Sequence, residues 1–207
     1  MRFDEPLNDI FASGTHVKVL RALHALPTDL AVSGRDLSRR AAASHPRATR
    51  VLAELADQGV VAVQHLPRTD LYRLNRNHVL AAALAQLFVR ETDLRFELLS
   101  LVAKELKRRK LPLAEARIFG STARGSTTSG SDVDLALVTT RDSVPAVENA
   151  AQQIADAVRQ RFGMRLNVLV GSPTLNVLSR GRRPGRSVWQ TIEREGIDVL
   201  SESVAAH

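Results

Sequence analysis

Asp132 and Asp134 stand two residues apart in the run Ser131-Asp132-Val133-Asp134-Leu135-Ala136-Leu137-Val138. Side chains alternate across a strand, so a β-conformation here points both carboxylates to one face. Val133, Leu135 and Leu137 then point to the other face, into a core. Two carboxylates held side by side repel each other, and such a pair implies a divalent cation. Hard Mg²⁺ takes carboxylate oxygens together with phosphate oxygens. Upstream, the β-like Ala116-Arg117-Ile118-Phe119 leads into Gly120-Ser121-Thr122-Ala123-Arg124-Gly125. Gly120 lets the backbone approach closely, and Ser121 adds a hydroxyl donor. Backbone N–H groups at a helix start here suit an anionic phosphate.

The arrangement GSTARG…SDVDLALV resembles the GS…DxD signature of the DNA polymerase beta-like nucleotidyltransferase superfamily, and more narrowly its minimal members. The likeness covers residues 111–207, including the ending Val188-Trp189-Gln190-Thr191-Ile192-Glu193-Arg194-Glu195-Gly196-Ile197. It implies that Gly120 and Ser121 grip the triphosphate of an NTP, with Arg124 matching the arginine of the family phrase. It also implies that Asp132 and Asp134 are the catalytic carboxylates and hold Mg²⁺, two ions being needed for transfer. An acceptor hydroxyl would attack the α-phosphate and pyrophosphate would leave. The family usually carries a third carboxylate on a later strand. The corresponding strand is Arg165-Leu166-Asn167-Val168-Leu169-Val170, and the position falls on Asn167. Asparagine is neutral and cannot act as a base, although its oxygen ligates a metal weakly. No acid lies within that strand; the nearest are Asp156 and Glu193. Two readings stand open: nucleotide transfer to a protein or RNA acceptor, and a non-catalytic nucleotide sensor or scaffold.

Elements must position these groups. Ala146 to Arg161 reads as a helix, Gly163 as a turn and Arg165 to Val170 as the strand bearing Asn167. The N-terminal part reads differently. His16 to Leu26 carries Val17, Leu20, Leu23 and Leu26 at helical spacing. Ser33 caps a short helix, Gly34 to Ala42. Ser44 caps another, with Pro46 in its first turn, Val51, Leu52 and Leu55 on one side, and Gly59 closing it. Val60 to His65 and Leu71 to Leu74 form strands around a turn, Leu66 to Asp70. This order over residues 12–78 resembles a winged helix-turn-helix, down to the phrase Leu52-Ala53-Glu54-Leu55-Ala56-Asp57-Gln58-Gly59-Val60-Val61. The resemblance implies double-stranded DNA as partner. His45, Arg47, Thr49 and Arg50 would lie on the recognition helix and Arg68 at the wing tip, on base edges and phosphate. The alternatives are a solvated basic face or a protein-interaction module.

From Val79 to Lys110 there is no Pro or Gly, and leucines recur at helical spacing. This is one long helix or two stacked ones, ending in a basic run that offsets the helix dipole. Its apolar stripe also suits a homodimer seam. The fold class is therefore α+β. Residues 1–78 form a winged helix-turn-helix DNA-binding domain and 79–112 a helical connector. Residues 113–207 form a minimal nucleotidyltransferase α/β domain with a mixed sheet.

The chain of 207 residues has a net charge of +7, and 25 of its 29 cations are arginines. Residues before 111 hold +6 of that excess. The polyanion-binding part and the triphosphate-binding part thus separate along the chain. With no cysteine, disulfides, thiolate metal sites and cysteine nucleophiles are excluded. The six histidines show no HxH or HExxH spacing, which argues against zinc. Trp189 reads as core. Arg180, Arg182, Arg183 and Arg186 read as a solvated loop or a phosphate contact. The apolar stretch Val79 to Val89 is broken by Gln86 and too short to span a bilayer, and the N-terminus lacks a signal-peptide pattern. A cytoplasmic DNA-binding regulator with a nucleotide-handling half, set in a toxin–antitoxin pair as related minimal nucleotidyltransferases often are, is the expectation.

Overall fold

The computed structural model describes residue 7 and residues 10–127, 130–171 and 188–201. The chain divides into two compact units, Met1–Thr92 and Asp93–His207.

In unit one, helix α1 (Gly14–His24) starts earlier than expected because Ser13 caps it. The Ser13 hydroxyl oxygen accepts from the His16 backbone N–H at 3.4 Å. Helix α2 (Gly34–Arg40) is capped by Ser33, whose oxygen accepts from the Asp36 N–H at 3.2 Å. It stops before Ala42, which adopts a φ of +46°. Helix α3 (His45–Asp57) begins at Ser44, but that side chain makes no capping bond, and Pro46 in the first turn fixes the helical φ instead. Strands β2 (Val61–Leu66) and β3 (Thr69–Leu74) pair as far as Leu66 opposite Thr69. The turn is therefore tighter than the expected Leu66–Asp70, with only Pro67 and Arg68 outside the ladder. A two-residue strand, β1 (Val32–Ser33), adds to β3 and gives the order β1-β3-β2. Two residues carry no periodic signal, so the sequence did not reveal it. Leu20, Leu23, Leu37, Leu52 and Leu55 are almost wholly buried between these helices and the sheet. Each contributes about 1.5–3 kcal/mol of transfer free energy.

Residues 81–109 form one uninterrupted helix, α4 (Ala81–Arg109). Leu84 and Phe88 belong to the core of unit one; Leu98, Leu99, Val102 and Leu106 belong to the core of unit two. At its basic end, Arg108 donates to Glu105 at 2.9 Å and Arg109 is also bonded to Glu105. The hydrogen bond from Arg109, then that from Arg108, holds the Glu105 carboxyl below the usual range.

Unit two is built on a four-stranded mixed sheet of β4 (Leu113–Phe119), β5 (Val133–Thr139), β6 (Leu166–Gly171) and β7 (Ile197–Asp198), in the order β6-β5-β4-β7. β4 runs antiparallel to β5 and β7, and β5 runs parallel to β6. Between β4 and β5 lies a short helix, α5 (Gly120–Arg124). Between β5 and β6 lies α6 (Val144–Phe162), ended by Gly163 at a φ of +68°. Helix α7 (Val188–Glu195) precedes β7. The alternation along β5 divides the sheet. Val133, Leu135 and Leu137 pack with α4 and α6, while Ala136 and Val138 pack with Ile192 and Trp189 of α7. Among the described residues no helix is long and apolar enough to cross a membrane.

Candidate functional site

Asp134 lies on the α7 side of β5, two residues before Ala136, and Asp132 immediately precedes the strand. The parallel pairing sets Asp134 directly opposite Asn167 on β6. The Asn167 amide nitrogen donates one hydrogen to an Asp132 oxygen at 3.3 Å and the other to an Asp134 oxygen at 3.3 Å. Three side chains thus converge, Asp134 and Asn167 from neighbouring strands and Asp132 from just before β5, with the two carboxylates bridged by a neutral donor. Both aspartates are part-exposed and Asn167 is exposed, so the cluster opens to solvent.

The turn that follows β4 closes on this cluster. Phe119 pairs with Asp134, and Gly120 takes a φ of +72°. A Cβ at Gly120 would collide with the Asp134 carboxylate oxygen. Glycine takes the left-handed backbone without strain, and a side chain here would require the Asp134 carboxylate to move. Past Ser121 the turn is tied by the Ser126 N–H donating to the Ser121 carbonyl at 3.0 Å, and Gly125 is again left-handed at φ +69°. Sequence spacing did not single out Arg95 of α4, yet its guanidinium donates to the Ala123 carbonyl in this turn. Its Nη1 also lies 3.5 Å from where a Gly125 side chain would begin. Nothing in a lone arginine 28 residues upstream signals that contact.

Arg124 donates to Glu195 of α7 at 3.3 Å, with its side chain 52% exposed. Arg194 bonds the same carboxylate, and these contacts, Arg194 first, hold Glu195 below the usual range. The segment with Arg180, Arg182, Arg183 and Arg186 lies outside the described residues.

Among the described residues no group of three or more His, Cys, Asp or Glu could hold a metal ion. The donor set of Asp132 and Asp134, hard oxygens with one neutral amide beside them, fits a single hard cation that brings phosphate oxygens of its own.

In unit one, His45, Arg47, Thr49 and Arg50 are exposed on α3, and Arg68 is exposed in the turn between β2 and β3. Two of them have partners on their own helix. Thr49 donates to the His45 carbonyl at 3.0 Å, and Arg50 donates to Glu54 at 2.8 Å. The Arg50 bond is the main cause that holds the Glu54 carboxyl below the usual range. The other Glu54 oxygen lies 3.0 Å from Nε2 of the buried His16, whose Nδ1 is 2.9 Å from the Ser13 hydroxyl. Arg47, Arg50, Glu54, His16 and Ser13 line an open cleft of about 490 Å³.

Residues 99–174 match the family model of the nucleotidyltransferase domain. That span contains Gly120, Ser121, Asp132, Asp134 and Asn167, and the mixed four-stranded sheet is consistent with a nucleotidyltransferase fold. Similar solved structures include a toxin–antitoxin crystal structure with AMP-PNP, at 16% identity and a TM-score of 0.35, covering 52% of this chain and 80% of that one. Another is a mutant of the toxin–antitoxin MntA-HpeT, at 15% identity and a TM-score of 0.33, covering 49% of this chain and 76% of that one. None of the curated proteins matches the chain.

Proposed function

We propose that the protein is a DNA-binding regulator whose nucleotidyltransferase domain binds an NTP with Mg²⁺. The reaction this site is suited to is transfer of the nucleotide to a hydroxyl of a protein or RNA acceptor. The observation that carries the reading is the close approach of the Gly120 turn to Asp134, which Asn167 joins to Asp132, inside the matched span. In this reading the backbone of Gly120 and Ser121 receives the triphosphate, and Arg124, exposed beside the turn, is available to it. Asp132 and Asp134 hold Mg²⁺, which when bound offsets charge on the phosphate oxygens. The acceptor hydroxyl gives up its proton to a water, its oxygen bonds to the α-phosphorus, the bond from that phosphorus to the bridging oxygen breaks, and pyrophosphate leaves with the electron pair. A toxin–antitoxin pair is the setting that the sequence resemblance implies, with the partner as acceptor.

The expected result with labelled NTP, Mg²⁺ and cell lysate is label transfer that disappears in Asp132→Ala/Asp134→Ala. Transfer that persists in that variant removes the two carboxylates from the mechanism. The second reading, a nucleotide sensor without transfer, is favoured by the neutral Asn167. Nucleotide binding without any label transfer would support it.

For residues 1–78 the proposal is a winged helix-turn-helix that binds double-stranded DNA, with residues 79–112 as connector. Most of the apolar stripe of α4 packs into the two cores, which leaves the exposed Leu87, Val89 and Leu94 for a homodimer seam. The winged-helix proposal is supported by the order helix, strand, helix, helix, hairpin and by the exposed His45, Arg47, Thr49 and Arg50 on one helix, with Arg68 at the hairpin turn. Phosphate contacts release counterions, so each one lost lowers the slope of log affinity against log salt by about 0.9. Arg47→Ala/Arg50→Ala should weaken DNA binding tenfold or more and flatten that slope by about 1–2. Fluorescence anisotropy at several salt concentrations measures both. An unchanged affinity and slope would sink the assignment of α3 as recognition helix.

A further inference from the structure

We infer that Asn167 limits the site to one divalent cation, taken up only together with the nucleoside triphosphate. This rests on the nucleotide-binding part of the proposed function, and a single ion favours its second reading, nucleotide binding without two-metal transfer. The place between Asp132 and Asp134 is bridged by the two hydrogens of one amide nitrogen, at 3.3 Å to each carboxylate. An amide presents donors on nitrogen and acceptors on oxygen, so the nitrogen turns to the carboxylates because the oxygen would be repelled there. The cluster therefore carries two negative charges and satisfies them partly from within. A cation that enters meets the positive ends of the amide N–H bonds. The amide must then rotate to present its oxygen, a neutral and weak ligand.

Two carboxylates with the phosphates of a substrate suffice for one Mg²⁺, which keeps waters in the remaining positions. A second ion about 3.5–4 Å from the first repels it strongly and needs further anionic ligands. No third acidic group joins the pair among the described residues. Opposite Asp134 stand Asn167 on β6 and the apolar Phe119 on β4, neither of them an acid. An aspartate at position 167 would add the missing charge, raising the cluster from two negative charges to three.

The test counts bound ions on the full chain, with Mn²⁺ as the spectroscopic substitute and a non-hydrolysable ATP analogue as the nucleotide. Free Mn²⁺ is read by electron paramagnetic resonance. The expected result is one Mn²⁺ per bound nucleotide, with binding at least tenfold weaker when nucleotide is omitted. Asn167→Asp is expected to bind a second Mn²⁺. Two ions per nucleotide in the unaltered protein overturn the inference, as does a folded Asn167→Asp that still binds one. The count on the unaltered protein stands even where the variant fails to fold. No nucleotide-dependent Mn²⁺ binding at all is a distinct outcome, and it overturns the nucleotide-binding reading and this inference together.

Discussion

Gly120→Ala is expected to destabilise unit two by about 1–3 kcal/mol and to remove nucleotide binding. Two independent costs meet at this residue. Its φ of +72° is left-handed, which costs an L-residue about 1–2 kcal/mol. The added Cβ would also overlap the Asp134 carboxylate, so either the turn retreats or the carboxylate swings away. Each response dismantles the arrangement that brings the turn backbone to Asp134. Gly163 provides the control. It has a similar φ of +68°, but a Cβ there meets nothing within 4 Å. Gly163→Ala should therefore show the backbone cost alone and bind nucleotide normally. Urea unfolding midpoints and titration with a fluorescent ATP analogue separate the two effects. If Gly120→Ala binds nucleotide as tightly as Gly163→Ala does, the close approach of turn and carboxylate has no role in binding.

The second large effect is expected at Leu135. This side chain is fully buried and packs with the residues of α4 and α6 beneath the sheet. It is the neighbour of Asp134 on the same strand and points to the opposite face. Truncation to alanine removes transfer free energy and leaves a cavity, a cost of about 2–5 kcal/mol. Leu169, part-exposed on the other face of the sheet, tests whether burial is the cause. Leu169→Ala should cost clearly less. Thermal and urea unfolding of both variants decide the matter, and a Leu135→Ala loss below about 1 kcal/mol would contradict the packing described for β5. Where the variant remains folded, weakened nucleotide binding would show that the strand's anchorage also holds the carboxylates in place.

Much of unit two was legible because a strand's period is two. Asp134 against Val133, Leu135 and Leu137 states which side is wet and which is core, without reference to anything distant; Asp132 falls just before the strand rather than within it. Gly163 likewise announces the end of α6, since a left-handed residue there favours glycine. The strand after that glycine is legible from its apolar run, whereas the interest of Asn167 on it comes from the family resemblance. The i,i+4 pair of Arg50 and Glu54 is equally readable from spacing. It matters, because part of the charge offered by Arg50 is answered on its own helix.

What the sequence by itself determined is local: the helix and strand periods, the glycine turns, and the alternation that sets Asp134 on the face opposite Val133, Leu135 and Leu137. Tertiary structure alone decided what depends on contacts between distant segments. The parallel register that sets Asn167 opposite Asp134 is fixed by strand pairing across residues 133–171, not by either strand's own pattern. The bond from Arg95 to Ala123 joins a helix to a turn that its residue types do not foretell. The division of the chain at Thr92 falls inside an unbroken helix, where no glycine or proline marks it. An amphipathic stripe records that a face is buried; which core receives each turn of it is settled only when the partners fold against it.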